Sequence, residues 1–143
     1  VFTPADQNFK IGEAVMLNAG TDVTILATGH LVWEAIEAGH TLSEMGINAE
    51  IINIHTIKPI DAEAILNSVK KTGCVVTAEE HQMNGGLGDS VAQLLSRKFP
   101  IPIEMVAVKD TFGESGTPSL LMKKYGLTRS EILASVEKVL KRK

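Results

Sequence analysis

The sequence predicts an α/β domain whose mostly parallel sheet is covered by helices on both faces. Two observations carry this expectation. Short runs that are apolar at nearly every position, such as DVTILATG (Asp22–Gly29) and GCVVTAEE (Gly73–Glu80), alternate with longer stretches whose apolar residues recur at helical spacing. Continuously apolar strands are typical of parallel sheets buried on both sides, where no face alternates toward water. Right-handed crossovers then gather the strand-to-helix turns along one edge. The 143 residues suit a single domain over residues 1–143 with a sizeable core.

In chain order, GEAVMLNAGTD (Gly12–Asp22) reads as a lead strand with a tight turn at Gly20, and Asp22–Gly29 as the first buried strand. The next stretch, His30–Gly46, carries Leu31, Val32, Ala35, Ile36, Gly39, Leu42 and Met45 as one helical stripe that stops at Gly46. Ala49–Ile57 is the following strand, closed by Lys58-Pro59. Asp61 is placed to cap a helix running to Thr72, with Ile65, Leu66 and Val69 facing inward. Gly73–Glu80 is the third buried strand. Gly88–Phe99 is a helix with Val91, Ala92, Leu94, Leu95 and Phe99 at helical spacing, and Ile101–Val108 is a fourth strand entered through Pro100 and Pro102. Thr128 and Glu131 have the spacing of a capping box ahead of Ile132, Leu133, Val136, Val139 and Leu140. There is no internal repeat and no interior linker.

Composition narrows the function classes. An apolar fraction of 44% and a charged fraction of 22% are ordinary for a globular protein, and the net charge is −3. The one basic cluster, KVLKRK (Lys138–Lys143), sits where a helix C-terminus favours cations, so neither nucleic acid nor an anionic membrane is an expected partner. A single cysteine, Cys74, excludes an internal disulfide, and its apolar surroundings predict a buried, inert thiol. No apolar stretch approaches the roughly 20 residues of a membrane span and no signal-peptide pattern is present, which together predict a cytoplasmic location. The chain begins at Val1 rather than Met, as a processed chain or a piece of a longer protein would.

Two segments carry candidate chemistry. The turn ATGH (Ala27–His30) leads into a helix whose free N–H groups suit an anion, at the sheet edge where ligands gather. With a single glycine and no G-x-G-x-x-G fingerprint, a plain turn is the preferred reading and an anion site the alternative. The stretch EEHQMNGGLGDS (Glu79–Ser90) places two carboxylates before a histidine and a Gly-Gly-x-Gly turn at a helix start. Neighbouring residues on a strand point to opposite faces, so Glu79 and Glu80 make no dyad, and the loop lacks the Lys-Ser/Thr of a phosphate loop. The candidate anion or interface site is therefore the edge formed by Thr28, Gly29, His30, Glu80, His81, Gly85 and Gly86. His55 and His81 fall near strand ends, where they would orient loops or reach across a subunit boundary. His30, His40, His55 and His81 have no metal-ligand spacing, and no catalytic, cofactor-binding or metal-binding residue is assigned.

Read together, four motifs resemble the C-terminal domain of the transketolase family. They are FKIGEAVMLNAGTDVTILATGHLVWEAIEA, INIHTIKPID, TAEEHQMNGGLGDSVAQLL and DTFGESGTPSLLMKKYGLTRSEILASVEKVL, in that order along nearly the whole chain. The resemblance implies a three-layer α/β/α domain on a five-stranded mixed sheet, its first strand antiparallel to the rest. It implies a whole enzyme that transfers a two-carbon ketol unit between sugar phosphates, using thiamine diphosphate and a divalent metal (Mg or Ca). These would be held by N-terminal and pyrimidine-binding domains whose signatures this sequence lacks. The domain itself would contribute to a homodimer and its stability, and a regulatory ligand site has been suggested for it. Two features depart from the transketolase pattern. His30 stands where many transketolases carry serine, and NIHTIKPID looks closer to 2-oxoacid dehydrogenase β subunits and deoxyxylulose phosphate synthase, in which a docking or regulatory role is the alternative. The FGESGTP segment is similar to transketolase, in particular a split-subunit form.

Overall fold

A computed structural model describes residues 4–111 and 113–143; Val1 and Phe112, which belong to segments discussed above, lie outside the described residues. The chain forms strands β1 (Val15–Asn18), β2 (Val23–Ala27), β3 (Ala49–Asn53), β4 (Val75–Gln82) and β5 (Ile103–Val108). Helices α1 (Leu31–Glu44), α2 (Ala62–Thr72), α3 (Leu87–Lys98), α4 (Pro118–Lys124) and α5 (Arg129–Lys141) connect and follow them. The sheet order is β1-β3-β2-β4-β5, with β1 antiparallel to β3 and the other pairs parallel. This is the three-layer, five-stranded mixed arrangement that the family resemblance implies, and it contains the mostly parallel, two-sided sheet expected from the residue pattern.

Strand β2 is buried at all five positions because it lies in the middle of the sheet with helices on both sides. On one face its Val23, Ile25 and Ala27 meet Leu31, Ala35 and Leu42 of α1 and Ile132, Val136 and Val139 of α5. On the other, Leu26 meets Ile65 and Val69 of α2 and Leu87, Val91 and Leu95 of α3. Each such aliphatic side chain contributes about 1.5–3 kcal/mol on burial. The predicted caps form: Asp61 Oδ1 accepts from Ala64 N–H at 3.0 Å, and Glu131 Oε2 accepts from Thr128 N–H at 3.0 Å.

Toward the amino end of the parallel strands, a polar network ties α2 to the sheet. Thr24 Oγ1 lies 2.7 Å from both Ser68 Oγ and Thr72 Oγ1, and Ser68 donates to Glu50 at 3.1 Å. Glu50, only 1% exposed, is paired with Lys71 Nζ at 2.6 Å. A buried charge is tolerated here because both carboxylate oxygens are engaged.

Two strand ends and one helix differ most from the sequence-based expectation. β3 ends at Asn53 rather than Ile57, because the chain leaves the sheet after Ile54 N–H donates to Ala27 O. β4 runs two residues further, to Gln82, through a register irregularity in which Ala78 and Gln82 face Val106 and Val108. Helix α4 was not assigned from sequence; it starts with Pro118 at its first position, which suits a missing N–H.

Candidate functional site

Helices α1 and α3 leave neighbouring strands toward opposite faces of the sheet, so β2 and β4 form the point where the strand order reverses. In such sheets the carboxyl edge at that point is the natural place for a ligand. The structure brings Thr28, Gly29 and Glu80 together there. Thr28 N–H donates to Ala78 O at 3.1 Å, which sets the β2–α1 turn beside the end of β4. Gly29 adopts φ +61°, and a Cβ added to it would lie 2.7 Å from Glu80 Oε1. The Glu80 side chain therefore lies against Gly29, in the space between the two turns.

Strand alternation in β4 aims the two glutamates apart. Glu79, outside the candidate set, is fully buried and is the residue that closes the glycine-rich loop. Its Oε1 accepts from Leu87 N–H at 2.9 Å and its Oε2 from Gly88 N–H at 2.7 Å. Helix α3 has Gly86 at its N-cap, a residue with no side chain to cap with, so the carboxylate supplied from β4 takes that role. Two charge-assisted bonds and the positive end of the helix dipole hold the ion in place. Gly86 is required by this contact, since a Cβ there would collide with Glu79 Oε1. Gly85 N–H is taken by Asp89 Oδ2 at 2.6 Å. The loop that suggested phosphate binding is thus an anion cradle filled by the chain's own carboxylates.

The remaining predicted residues are not drawn into one cluster. His30 and His81 are both exposed, and His30 occupies the N-cap position of α1 without a capping side-chain bond. His55 lies beyond β3 with Nδ1 3.1 Å from Thr56 Oγ1 and its ring edge-on to Phe9, 5.0 Å between centroids. Cys74 is buried, and burial pushes its thiol up from its ordinary value, against the opposing pull of Lys143. That thiol is held in the unreactive protonated form. Sequence reasoning missed the role of Glu79 because its partners lie eight and nine residues away, across a turn. A usable signal was present: a glycine-started helix with no Ser, Thr or Asp at its N-cap and an acid just upstream.

Comparison with known proteins gives concordant matches. Residues 12–132 match the family described as transketolase, C-terminal domain. Over 138 residues the chain is 47% identical to the 6-deoxy-6-sulfo-D-fructose transketolase subunit SqwH of Clostridium sp. (strain MSTE9), covering 96% of this chain and 43% of that protein. It is 36% identical to 1-deoxy-D-xylulose-5-phosphate synthase of Desulforudis audaxviator (strain MP104C), covering 89% of this chain and 20% of that enzyme. A solved structure titled "Split gene transketolase, inactive beta4 tetramer" superposes with a TM-score of 0.95 at 45% identity, over 99% of this chain and 46% of that one. The chain spans less than half the length of each of these relatives.

Proposed function

The chain belongs to the transketolase family through its C-terminal domain, and from that premise we propose that it is the non-catalytic C-terminal section of a split transketolase. The whole enzyme would carry a ketol unit between sugars with thiamine diphosphate and a divalent metal held elsewhere. This section would supply stability and subunit contacts to a cytoplasmic homodimer. The observation that carries the reading is the closure of the α3 start by Glu79. That glycine-rich start offers a cluster of amides that a diphosphate could use, and they are already committed to the chain's own carboxylates.

The residues at this loop do not fit thiamine diphosphate, so no step of the reaction is routed through them. What they do is structural: Glu79 locks α3 onto β4, and Glu80 fills the space beside Gly29. The identity to the sulfofructose transketolase subunit supports a subunit role, and its name extends the substrate class beyond sugar phosphates. A second reading, the closing domain of a deoxyxylulose phosphate synthase, draws on the 36% identity to that enzyme.

Calorimetric titration of the chain with thiamine diphosphate and Mg²⁺, beside a coupled ketol-transfer assay, tests the non-catalytic role. The expected result is no saturable heat and no turnover from the chain alone; either signal refutes the proposal. Sedimentation over a range of concentrations tests the homodimer; among the described residues no helix is long and apolar enough to cross a membrane. A monomer at every concentration would remove the homodimer from the proposal.

A further inference from the structure

The closed start of α3 leaves one exposed piece of the loop with a chemistry of its own. Six asparagines occur in the sequence, and Asn84 alone precedes a glycine. Asn84 and Gly85 are both exposed and form the turn between β4 and α3. The Asn84 carboxamide makes no hydrogen bond among the described residues. Asn18 and Asn53 lie on strands and Asn67 lies within α2, where the backbone is fixed by its own ladder. Phe9 and Ala49, which follow Asn8 and Asn48, each carry a side chain that crowds the neighbouring nitrogen.

An asparagine so placed can react with its own backbone, which is one reason the residue is thermolabile. The nitrogen of the next residue gives its proton to solvent and attacks the side-chain Cγ. A Cγ–N bond forms and the Cγ–Nδ2 bond breaks. The leaving nitrogen takes up a proton from water and departs as ammonia, leaving a five-membered succinimide. Water then opens the ring at either carbonyl, giving aspartate or isoaspartate. Gly85 leaves the attacking nitrogen unscreened: its φ is +82°, and a Cβ added there would meet nothing within 4 Å. Its proton is nonetheless held, because Gly85 N–H donates to Asp89 Oδ2 at 2.6 Å. A proton bonded to a carboxylate is harder to remove, and the negative charge beside it disfavours the nitrogen anion that must attack.

We propose that Asn84 is a deamidation site of this chain, and that Asp89 sets the rate by holding the Gly85 amide proton. The modification adds one negative charge to the turn that leads into α3. The proposal needs only the folded chain and does not rest on its role in a split enzyme. The test is incubation of the folded chain in mildly alkaline buffer, followed by anion exchange and peptide mass mapping. Labelling by an isoaspartyl methyltransferase marks the isoaspartate product. The expected result is a more acidic form that maps to Asn84 and is absent from Asn84→Gln, whose longer side chain closes a ring far more slowly. Asp89→Ala should react roughly tenfold faster, the order expected when a neighbouring charge is removed. Asp89→Asn keeps an acceptor without the charge and should fall between the two. Ser90→Ala removes a bond from the Ser90 hydroxyl to Gly86 O at 3.1 Å, loosening the same turn without touching the Gly85 amide, and should react at the wild-type rate. Urea denaturation of each variant checks that the folded chain is being compared. No acidic form, or one that maps first to another asparagine, would overturn the site. An Asp89→Ala rate equal to or below wild type, or equal acceleration by Ser90→Ala, would overturn the role of Asp89.

Discussion

Helices α1 and α3 begin side by side at the carboxyl edge of the sheet, yet their first turns are closed in different ways. The start of α3 is sealed by Glu79, a fully buried carboxylate on the adjacent strand. The start of α1 has only backbone closure, Val32 N–H to Gly29 O at 3.2 Å, and its first-turn acid serves another helix. That acid, Glu34, accepts from Arg129 N–H at the start of α5 at 2.8 Å. The contrast teaches that an acid close to a helix start need not belong to it. Which start an acid closes depends on how neighbouring elements are set against each other.

Removing the sealed partner should have the largest effect. Glu79→Ala leaves two amides at a buried helix start without an acceptor, and we expect a loss of about 3–5 kcal/mol by urea denaturation. A loss under about 1 kcal/mol would show that water replaces the carboxylate and that the α3 start is no more closed than that of α1. Gly86→Ala attacks the same seal from the helix side. Its Cβ must displace Glu79 Oε1, at a cost of about 2–3 kcal/mol, and in the Glu79→Ala background the added cost should fall by at least half.

On the open side the effects shrink. Gly29→Ala meets both a positive φ and Glu80 Oε1, and we expect about 1–2 kcal/mol, because the Glu80 side chain is partly exposed and can swing away. Adding Glu80→Ala should recover the steric part and leave the backbone part; full recovery would mean that φ carries no strain. Smallest of all, His30→Ala and His81→Ala should each change stability by less than about 0.5 kcal/mol, since both rings are exposed. A larger change at either histidine would mean that the open turn is coupled to the sealed one.

Much of the architecture was legible beforehand, and particular residues show why. The stripe Leu31, Val32, Ala35 and Leu42 is spaced by helix geometry, and all four side chains are buried. Asp61 and the Thr128/Glu131 pair act on amides within three residues, so local spacing was enough to place them. Thr28, Gly29 and Glu80 were expected on one edge, and they meet there because β2 and β4 pair directly. His30 and His81 were expected on the same edge, but no contact joins them among the described residues.

The sequence by itself determined the five strands, every helix but α4, and the caps at α2 and α5, since apolar period and capping spacing act over a few residues. It also carried the family, because motif order survives without coordinates. Tertiary structure alone decided the strand order β1-β3-β2-β4-β5 and the irregular register of β4 against β5. From those follow the choice of Glu79, and not Glu80, as the anion of α3, and the placing of Glu80 over Gly29. Such pairings depend on crossovers and on how one strand slips against another. The distances involved are set by the whole packed sheet, and no short stretch of residues contains them.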